Sequence, residues 1–454
     1  MENWERAVEG LGGMKILHIA AHLGGGAGKA ISGIAIQGQQ NFPDTHRILL
    51  LQEPEKNGCV RACQEHRVAV SVWNGNGAPF KWADVIVVNW WNHPVMAQFL
   101  RGFPESSAPV VLWSHVNGCH YPMLPSAFAE EFDRILFTSP YSLENPLWTG
   151  AERRRIEEKS AIVWGMGRFA SEKMLPKTDY QNRGTFTVGY VGTLNYGKIH
   201  PHFIAFCKEV CKRIPEAGFV LAGDRDAALE RDIRAAGLAD RVAFPGFVAD
   251  VPALMRSFDV FGYLLNPEHY GTTENVLLEA MACGVPVVAL RQNVEQFIVP
   301  SAAGELVATT RQYADCLDGL WHNSDLRERL GRGARAHVVK RYNAAENTAR
   351  FRTACLRALE GIRRKHDFSF LGDSPWDWFL FFLDAQNRQI MERARGSAGQ
   401  GQFAQAGELL RQCAPILWEE RKSSLRHFAA AYPQDETLQT LKEQMEQECN
   451  HGGN

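Results

Sequence analysis

The segment Gly271–Val288 combines residue types suited to binding a phosphate group and a ribose. Its first residues, Gly271–Asn275, stand where the pattern predicts the start of a helix, so backbone amides face outward there. Such amides and the helix dipole attract phosphate. Glu279 follows one turn into the helix, at a spacing that suits a pair of ribose hydroxyls. A well-capped core helix without a ligand explains the same residues, and the pattern alone leaves both interpretations open.

A glycine-rich turn in the first thirty residues is a second candidate for contact with a ligand. The apolar run Lys15–Ala20 predicts a strand, His22–Gly28 a turn and Lys29–Gln37 a helix. Gly24–Gly26 would let the backbone approach a phosphate or an acceptor closely. The spacing is not that of a dinucleotide-binding fingerprint, and Ala30 replaces the serine or threonine of a Walker loop.

Two segments that follow or end predicted strands add aromatic and cationic groups. Asn89–Pro94 contains Trp90, Trp91 and His93, and paired tryptophans suit stacking against the apolar face of a sugar ring. Ordinary packing of these aromatics beneath a loop explains the pattern equally well. Arg168 ends the last predicted strand of the first half, where it either contacts phosphate or is a surface group.

Strands and helices alternate in two successive series, which predicts two doubly wound parallel sheets. Ligands of such sheets bind beyond the carboxyl ends of the strands, so we expect the residues above to face a cleft between two domains. We predict an N-terminal Rossmann-like domain over 14–175 and a C-terminal one over 185–345. A crossover helix and aromatic segment follow over 346–395, and a helical tail over 402–450. The aromatic stretch Trp376–Phe382 is expected to pack onto the first domain, with a partner or membrane-surface contact as the alternative.

Composition and charge argue against several classes of protein. The chain has 454 residues, of which 45% are hydrophobic and 22% charged, as in ordinary globular proteins. Its formal net charge of −2 gives no electrostatic support to wholesale nucleic-acid binding. The sequence contains no run of the ~18 apolar residues that span a bilayer, and the polar Met1–Gly13 does not resemble a signal peptide. Ten cysteines lack zinc-finger spacing, so we expect reduced thiols in a cytoplasmic protein.

The segment Leu278–Val288 resembles the signature helix of retaining GT-B glycosyltransferases of the "group 1" (family 4-like) type. The resemblance covers roughly residues 14–350 and is more specific in the second half of that range. It implies an α/β fold with two Rossmann-like domains that face a cleft, here followed by a helical C-terminal extension. The other matching motifs follow in the order of the family: Gly24–Ala27, Val191–Lys198, Leu221–Asp224, Arg241–Phe247 and Phe258–Val260.

The resemblance also implies roles for individual residues. Lys198 would pair with the diphosphate of a donor and stabilise it as the leaving group. His115, at the position of a family cleft histidine, would contact the transferred sugar, unless it only satisfies backbone groups of its own loop. The expected catalytic residues are His115, Lys198 and Glu279. The expected donor-binding residues are Gly192, Thr193, Lys198, Gly223, Gly271, Thr272, Thr273, Glu274, Asn275 and Glu279. The expected acceptor or cleft residues are Gly25, Gly26, Trp90, Trp91, His93, His115 and Arg168.

Two positions depart from the family pattern. The family carries a first glutamate eight residues before the second, and this chain has Gly271 there. Glu268 and Glu274 are the nearby carboxylates that would substitute for it. The usual arginine after Gly192 is Thr193. One carboxylate and one cation of the expected set are therefore missing, which leaves room for an altered donor or for lost catalysis.

The function implied is transfer of a sugar from a nucleotide diphosphate sugar to a hydroxyl acceptor, with retention and without a metal or a cofactor. The expected acceptor is a glycan, a lipid-linked molecule or a small hydroxyl compound, and no nucleic acid is expected as a partner. A peripheral contact with a membrane or a protein through the C-terminal segment would place the chain at the inner membrane face. Two alternatives stay open: a non-catalytic sugar-nucleotide binding or assembly protein, and a nucleotide-sugar epimerase.

Overall fold

The computed structural model describes residues 12–181 and 183–451, which divide into two compact units. The first unit joins the residues up to Arg168 to those from Ala345 onward, and the second runs from Phe169 to Ala344. The crossover helix and the helical tail are therefore part of the first unit. Most of the predicted polar extension Met1–Gly13 lies outside the described residues.

The first unit is built around seven parallel strands, most of them short apolar runs. They are β1 (Lys15–Ala20), β2 (Thr45–Leu50), β3 (Ala69–Val72), β4 (Val85–Trp90), β5 (Val110–Ser114), β6 (Arg134–Phe137) and β7 (Ser160–Ile162). Their order across the sheet is β3-β2-β1-β4-β5-β6-β7. All six residues of β4 are buried, as expected for a central strand covered by helices on both faces. The order reverses between β1 and β4, which makes this pair the switch point of the sheet.

Helices cover both faces of this sheet. Those of the N-terminal part are α1 (Gly25–Asn41), α2 (Gly58–Glu65), α3 (Ala78–Trp82), α4 (Pro94–Arg101), α5 (Ser126–Glu130) and α6 (Gly150–Glu158). The core of the unit gathers β-strand residues such as Ile16 and Val87 with Ile31 of α1. The interior is thus formed by alternating strands and helices, as the sequence predicts.

The second unit has a six-stranded parallel sheet of the same kind. Its strands are β8 (Phe186–Val191), β9 (Ala217–Ala222), β10 (Val242–Gly246), β11 (Val260–Tyr263), β12 (Val287–Leu290) and β13 (Gly304–Val307). The order is β10-β9-β8-β11-β12-β13, with the switch point between β8 and β11. Its helices are α7 (Phe203–Arg213), α8 (Ala227–Ala235), α9 (Val251–Ser257), α10 (Asn275–Ala282), α11 (Glu295–Ile298), α12 (Thr310–His322) and α13 (Ser324–Arg341).

The crossover helix α14 (Ala344–Leu359) is anchored in the first unit by apolar packing and a buried ion pair. Phe351 belongs to the apolar core around the seven-stranded sheet. Arg352 Nε lies 2.8 Å from Asp44 Oδ2, and each side chain is only 1% exposed. Asp44 also accepts a hydrogen bond from the backbone of Met14, at 2.9 Å. Since a buried charge is costly without its partner, this pair fixes where the returning chain docks.

Five further helices form the C-terminal extension. They are α15 (Pro375–Phe381), α16 (Ala385–Gly399), α17 (Phe403–Leu410), α18 (Leu425–Ala431) and α19 (Glu436–His451). The aromatic stretch packs onto the first unit, since the ring centroids of Phe382 and Trp90 are 5.1 Å apart. Tyr432 donates from its hydroxyl to the carbonyl of Pro94, at 2.8 Å. The predicted fold class, two doubly wound parallel sheets with a helical C-terminal extension, is confirmed.

Three features of the described residues bear on the chemistry of the chain. No described helix is long and apolar enough to cross a membrane. Within the same residues, no group of three or more His, Cys, Asp and Glu side chains is arranged to hold a metal ion. The cysteines of the described part, from Cys59 to Cys413, are free thiols.

Candidate functional site

Two loops meet at the switch point of the second sheet. One follows β8 and ends at Lys198, and the other follows β11 and ends at Glu274. They are joined by backbone pairing, since Ile199 bridges Leu265 and the amide of Asn266 donates to the carbonyl of Lys198 at 2.8 Å. Parallel strands present their following loops at one edge of the sheet, where α/β proteins bind ligands.

The side chains at the ends of these two loops form a half-buried ion pair. Lys198 Nζ lies 3.1 Å from Glu274 Oε2, with the lysine side chain 19% and the glutamate side chain 6% exposed. The hydroxyl of Tyr263 donates to the same carboxylate oxygen. Burial by itself would raise the pKa of Glu274, but the ammonium of Lys198 and the nearby His269 hold that pKa at about 2. Glu274 is therefore a carboxylate at neutral pH and fixes the position of the ammonium.

The glycine at position 271 lies directly beside this carboxylate. A side chain there would collide with Glu274 Oε1, and its Cβ would lie 2.7 Å from the ring of His269. The amide of Gly271 donates to His269 Nδ1 at 2.7 Å. Glu268 is exposed, whereas Glu274 is buried. Of the two nearby carboxylates, Glu274 is thus the one that occupies the space next to position 271.

Two glycines bring the loops after β8 and β9 close together. Gly192 and Gly223 have φ angles of +150° and +154°, which residues with a Cβ rarely adopt. A side chain at Gly223 would also collide with the carbonyl oxygen of Gly192. Thr193 is exposed beside this junction, and its carbonyl accepts a hydrogen bond from the hydroxyl of Tyr190, at 3.0 Å. Backbone rather than side chains therefore forms this part of the edge.

Helix α10 begins where the sequence predicts, immediately after Glu274. No acidic residue occupies its first turn, and its N-cap residue makes no side-chain capping hydrogen bond. Thr272 is buried and Thr273 half-buried just before the helix, while Glu279 is half-buried in its second turn. The helix ends at Gly284, whose φ of +72° stops it as expected. The donor-binding residues expected in this segment thus share one edge of the sheet with Lys198.

A buried acid that the sequence analysis missed lies at the same edge. Glu295 opens α11 after the loop that follows β12, and it is fully buried. Burial and the charge of Glu274 raise the pKa of Glu295 to about 8, so its carboxyl group is protonated at neutral pH. Glu295 follows shortly after an apolar strand, at the edge of the sheet where ligands are expected to bind, and this is the sequence signal that indicates it.

Five of the seven expected acceptor or cleft residues lie near the switch point of the first sheet: Gly25, Gly26, Trp91, His93 and His115. The ring of Trp91 is 5.2 Å from that of His22 and 6.4 Å from that of His93. Gly25 and Gly26 begin α1 and are exposed, and nothing lies within 4 Å of a Cβ at either position. The loops after β1 and β4 therefore place aromatic rings and open backbone at one edge.

His115 follows β5 and lies next to this cluster. Its ring is 6.0 Å from that of Trp91, and its Nε2 donates to the amide oxygen of Asn89, at 3.1 Å. Burial lowers the pKa of His115 to about 3, so the ring is neutral at physiological pH. The proton on Nε2 leaves Nδ1 as the nitrogen with a lone pair.

The remaining two expected residues are Trp90 and Arg168. Trp90 is 1% exposed and packs between Phe128 and Phe382, with ring centroids 5.2 and 5.1 Å away. It is a core residue, so of the tryptophan pair only Trp91 is placed to contact a ligand. Arg168 is exposed and follows Gly167, which packs against the carbonyl of Lys29 in α1.

Comparison with known proteins relates the second unit to a large enzyme family. Residues 185–323 match the sequence model of the family described as "Glycosyl transferases group 1". A 2-deoxystreptamine N-acetyl-D-glucosaminyltransferase of Streptomyces fradiae is 32% identical over 148 residues, which is 30% of this chain and 34% of that protein. A D-inositol 3-phosphate glycosyltransferase of Paenarthrobacter aurescens is 35% identical over 123 residues, 26% of this chain and 29% of that protein. The chain thus spans about a third of the length of these curated relatives.

Solved structures resemble the chain over a longer stretch. HepE of Anabaena in complex with UDP has a TM-score of 0.60 at 19% identity, covering 76% of this chain and 100% of that one. Sucrose-phosphate synthase of Thermosynechococcus elongatus has a TM-score of 0.56 at 18% identity, covering 76% of this chain and 99% of that one. At these identities the likeness is one of fold. The resemblance to the group 1 family inferred from the motifs is confirmed by the family match.

Proposed function

We propose that this chain, whose residues 185–323 belong to the group 1 glycosyltransferase family, transfers a sugar from a nucleoside diphosphate sugar to a hydroxyl acceptor. The observation that carries the proposal is the Lys198–Glu274 pair at the switch point of the second sheet, beside the start of α10. The structures of similar fold solved with UDP and with UDP-glucose support the choice of donor class.

Lys198 binds the diphosphate of the donor in this proposal. An ammonium has three donors, and one of them is used by Glu274. The remaining donors and the helix start at Thr272 and Thr273 serve the phosphate oxygens. As the bond between sugar and phosphate breaks, negative charge grows on the leaving diphosphate, and a positioned ammonium stabilises it. Glu279, half-buried one turn later, holds the ribose hydroxyls.

Glu274 takes over the place of the carboxylate that the family carries at position 271. The support is geometric, since the carboxylate of Glu274 fills the space beside the α-carbon of Gly271. Its partners Lys198 and Tyr263 keep it charged and fixed. Thr193 stands where the family carries an arginine, so this position of the donor site lacks the cation of the family pattern.

The acceptor binds on the first unit, where Trp91, His93 and His115 gather at the carboxyl edge of the seven-stranded sheet. The sugar is transferred with retention and without a metal, and the leaving phosphate takes the proton of the acceptor hydroxyl. The protein then accelerates the reaction by holding the donor and the acceptor hydroxyl in position and by stabilising the charge of the leaving diphosphate. A cytoplasmic location, or one at the inner membrane face through the C-terminal segment, stays a prediction, as does a glycan or lipid-linked acceptor.

A non-catalytic sugar-nucleotide binding protein is the second candidate, and the exposed Thr193 favours it because the usual cation is absent there. It predicts that nucleotide binds but that no diphosphate is released with any donor and acceptor. An epimerase would instead convert the sugar of the donor without any acceptor.

A thermal-shift panel of UDP, GDP and ADP sugars tests the proposal on the full chain. A ligand at a hundred times its Kd stabilises the folded protein by about 2.7 kcal/mol. The correct donor is therefore expected to raise the melting temperature more than the other nucleotide sugars do. Lys198→Ala and Glu279→Ala are expected to lose this shift, while His115→Ala keeps most of it and loses turnover. Lys212→Met, on the exposed face of α7, is the matched lysine control and keeps both. Full stabilisation of the Glu279→Ala variant would refute the donor-site assignment.

A further inference from the structure

The segment Glu419–His427 of the C-terminal tail lies over the carboxyl edge of the first sheet. Ser423 Oγ donates to the carbonyl of Trp91, at 3.0 Å. Arg421 pairs with Glu55, in the loop after β2, at 2.6 Å. The tail is thus bonded to two of the loops that follow strands, at the switch point where α/β proteins bind ligands.

The backbone of this segment is held in a strained conformation. Lys422 and Ser423 have φ angles of +61° and +63°, and two consecutive non-glycine residues in this region are uncommon. Such conformations cost free energy and persist only where surrounding contacts enforce them, often at binding sites. Ser423 is 2% exposed, and its amide donates to His427 Nδ1 at 3.2 Å. This hydrogen bond helps to hold the His427 ring in position.

His427 completes a cluster of aromatic rings at this edge. Its ring lies 4.7 Å from that of His93, which in turn lies 5.3 Å from that of His22. Burial lowers the pKa of His427 to about 4 and that of His93 to about 2. Burial also lowers the pKa of His22. The three imidazoles are uncharged at neutral pH, and Arg421 is neutralised by Glu55, so the cluster does not select for an anion.

Hydrogen bonds to the backbone fix the tautomers of two of these rings. His427 Nδ1 accepts from the amide of Ser423, and His22 Nδ1 accepts from the amide of Gly24 at 2.9 Å. Each ring therefore carries its proton on Nε2, which makes it a donor with no free lone pair. His93 Nδ1 is buried and has no hydrogen-bond partner among the described residues. The two fixed donors, Nε2 of His22 and Nε2 of His427, suit the oxygens of hydroxyl groups.

We propose that the tail segment Glu419–His427 forms one wall of the acceptor site, and that His427 donates from Nε2 to an uncharged polyhydroxylated ring. The apolar face of that sugar or cyclitol ring lies against Trp91, and its hydroxyls meet the imidazoles of His22 and His427. The proposal rests on the proposed glycosyltransferase function. It assigns a role in acceptor choice to a part of the chain outside the family match, which ends at residue 323.

Steady-state kinetics of the full chain test this, with the donor that gives the largest thermal shift and with myo-inositol and methyl α-glucoside as acceptor probes. His427→Ala is expected to raise the acceptor KM about fivefold to tenfold and to leave the donor KM within about twofold. Glucose 6-phosphate, the anionic probe, is expected to be the poorer acceptor.

Two substitutions separate the hydrogen bond to the acceptor from the structural contact. His427→Asn keeps an oxygen near the position of Nδ1, so it still accepts the hydrogen bond from the amide of Ser423. It has no donor at the position of Nε2, and its acceptor KM is therefore expected to rise as in His427→Ala. His427→Gln places an amide donor near the position of Nε2 and is expected to recover part of the affinity. Arg411→Ala, on the half-exposed Arg411–Glu448 pair of the same tail, is the matched control and leaves both KM values unchanged.

An unchanged acceptor KM in His427→Ala and His427→Asn would overturn the inference, and so would a preference for glucose 6-phosphate. If no variant and no wild-type protein releases a nucleoside diphosphate, the proposed function itself fails. Release at the wild-type rate with unchanged acceptor KM refutes only the role of the tail.

Discussion

Replacing Glu274 by glutamine removes the charge that holds Lys198 while preserving the size of the side chain. The pKa of Glu274 is lowered from 4.5 to about 2, and each pH unit corresponds to about 1.4 kcal/mol, so the folded state favours the carboxylate by about 3 kcal/mol. Glu274→Gln is therefore expected to reduce the free energy of unfolding of the second unit by about that amount. Because the pKa is depressed on folding, wild-type protein has this contribution above pH 4.5 and loses it as the pH falls toward 2.

The same substitution separates the roles of the two partners in binding UDP. Lys198→Met removes the donor to the phosphates and is expected to weaken UDP binding about ten- to hundredfold. Glu274→Gln removes a negative charge near the diphosphate, so UDP binds no more weakly than to wild type although turnover falls. Isothermal titration calorimetry with UDP measures both affinities, and urea unfolding followed by circular dichroism measures stability.

A second Lys–Glu pair of similar length provides the control. Lys212 and Glu209 are 3.2 Å apart on α7, with the lysine side chain 72% exposed. Glu209→Gln is expected to change neither stability nor UDP affinity measurably, since exposed ion pairs contribute little. Equal destabilisation by Glu209→Gln and Glu274→Gln would refute the argument from burial. Equal loss of UDP affinity in Glu274→Gln and Lys198→Met would refute the division of roles.

Three further predictions concern packing and burial. Gly271→Ala places a methyl group against the carboxylate of Glu274 and is expected to abolish the thermal shift that the donor causes. Gly319→Ala is the control, because the space around its Cβ is open, and it is expected to keep that shift. Arg352→Met leaves Asp44 charged and buried, which should lower the melting temperature and cost about 3–5 kcal/mol in urea unfolding; an unchanged melting temperature would contradict this. Burial lowers the pKa of His46 to about 3, so the unfolded chain gains a proton first as the pH falls below 6.5. This ring alone contributes a loss of stability of about 1.4 kcal/mol per pH unit between pH 6.5 and 3, and the other buried histidines add to it. His46→Gln is therefore expected to reduce the slope of the urea-unfolding profile over that range by about 1.4 kcal/mol per pH unit, and an unchanged slope would exclude the buried neutral ring.

The two sheets and the start of α10 are predictable from sequence because their signals are local. An apolar run such as Val85–Trp90 can be buried on both faces only inside a parallel sheet, and the alternation with helices sets the connections. The helix start after Glu274 and its end at Gly284 depend on residue types within a few positions of each end. Local residue types therefore locate the two ends of this helix without any knowledge of tertiary contacts.

Whether the rings of Trp90 and Trp91 are buried depends on contacts with distant parts of the chain, which no local sequence pattern contains. Trp90 is buried because Phe382, almost three hundred residues later in the chain, packs on its ring. Trp91 remains half-buried beside His22, and the tail residue Ser423 bonds to its carbonyl. The sequence predicts that aromatic residues follow the strand, but it does not tell which ring is covered. Only the docking of the tail decides that.

The glutamate that the family carries at position 271 is absent from this chain, and the carboxylate of Glu274 occupies the neighbouring space. A glycine at position 271 leaves the space beside its α-carbon open, and the chain turns so that the carboxylate three residues later fills it. A residue with a side chain at 271 and a charged Glu274 in this position would exclude one another. Gly271 and Glu274 are thus sterically coupled, and we propose that Glu274 supplies the charge that the family pattern places at position 271.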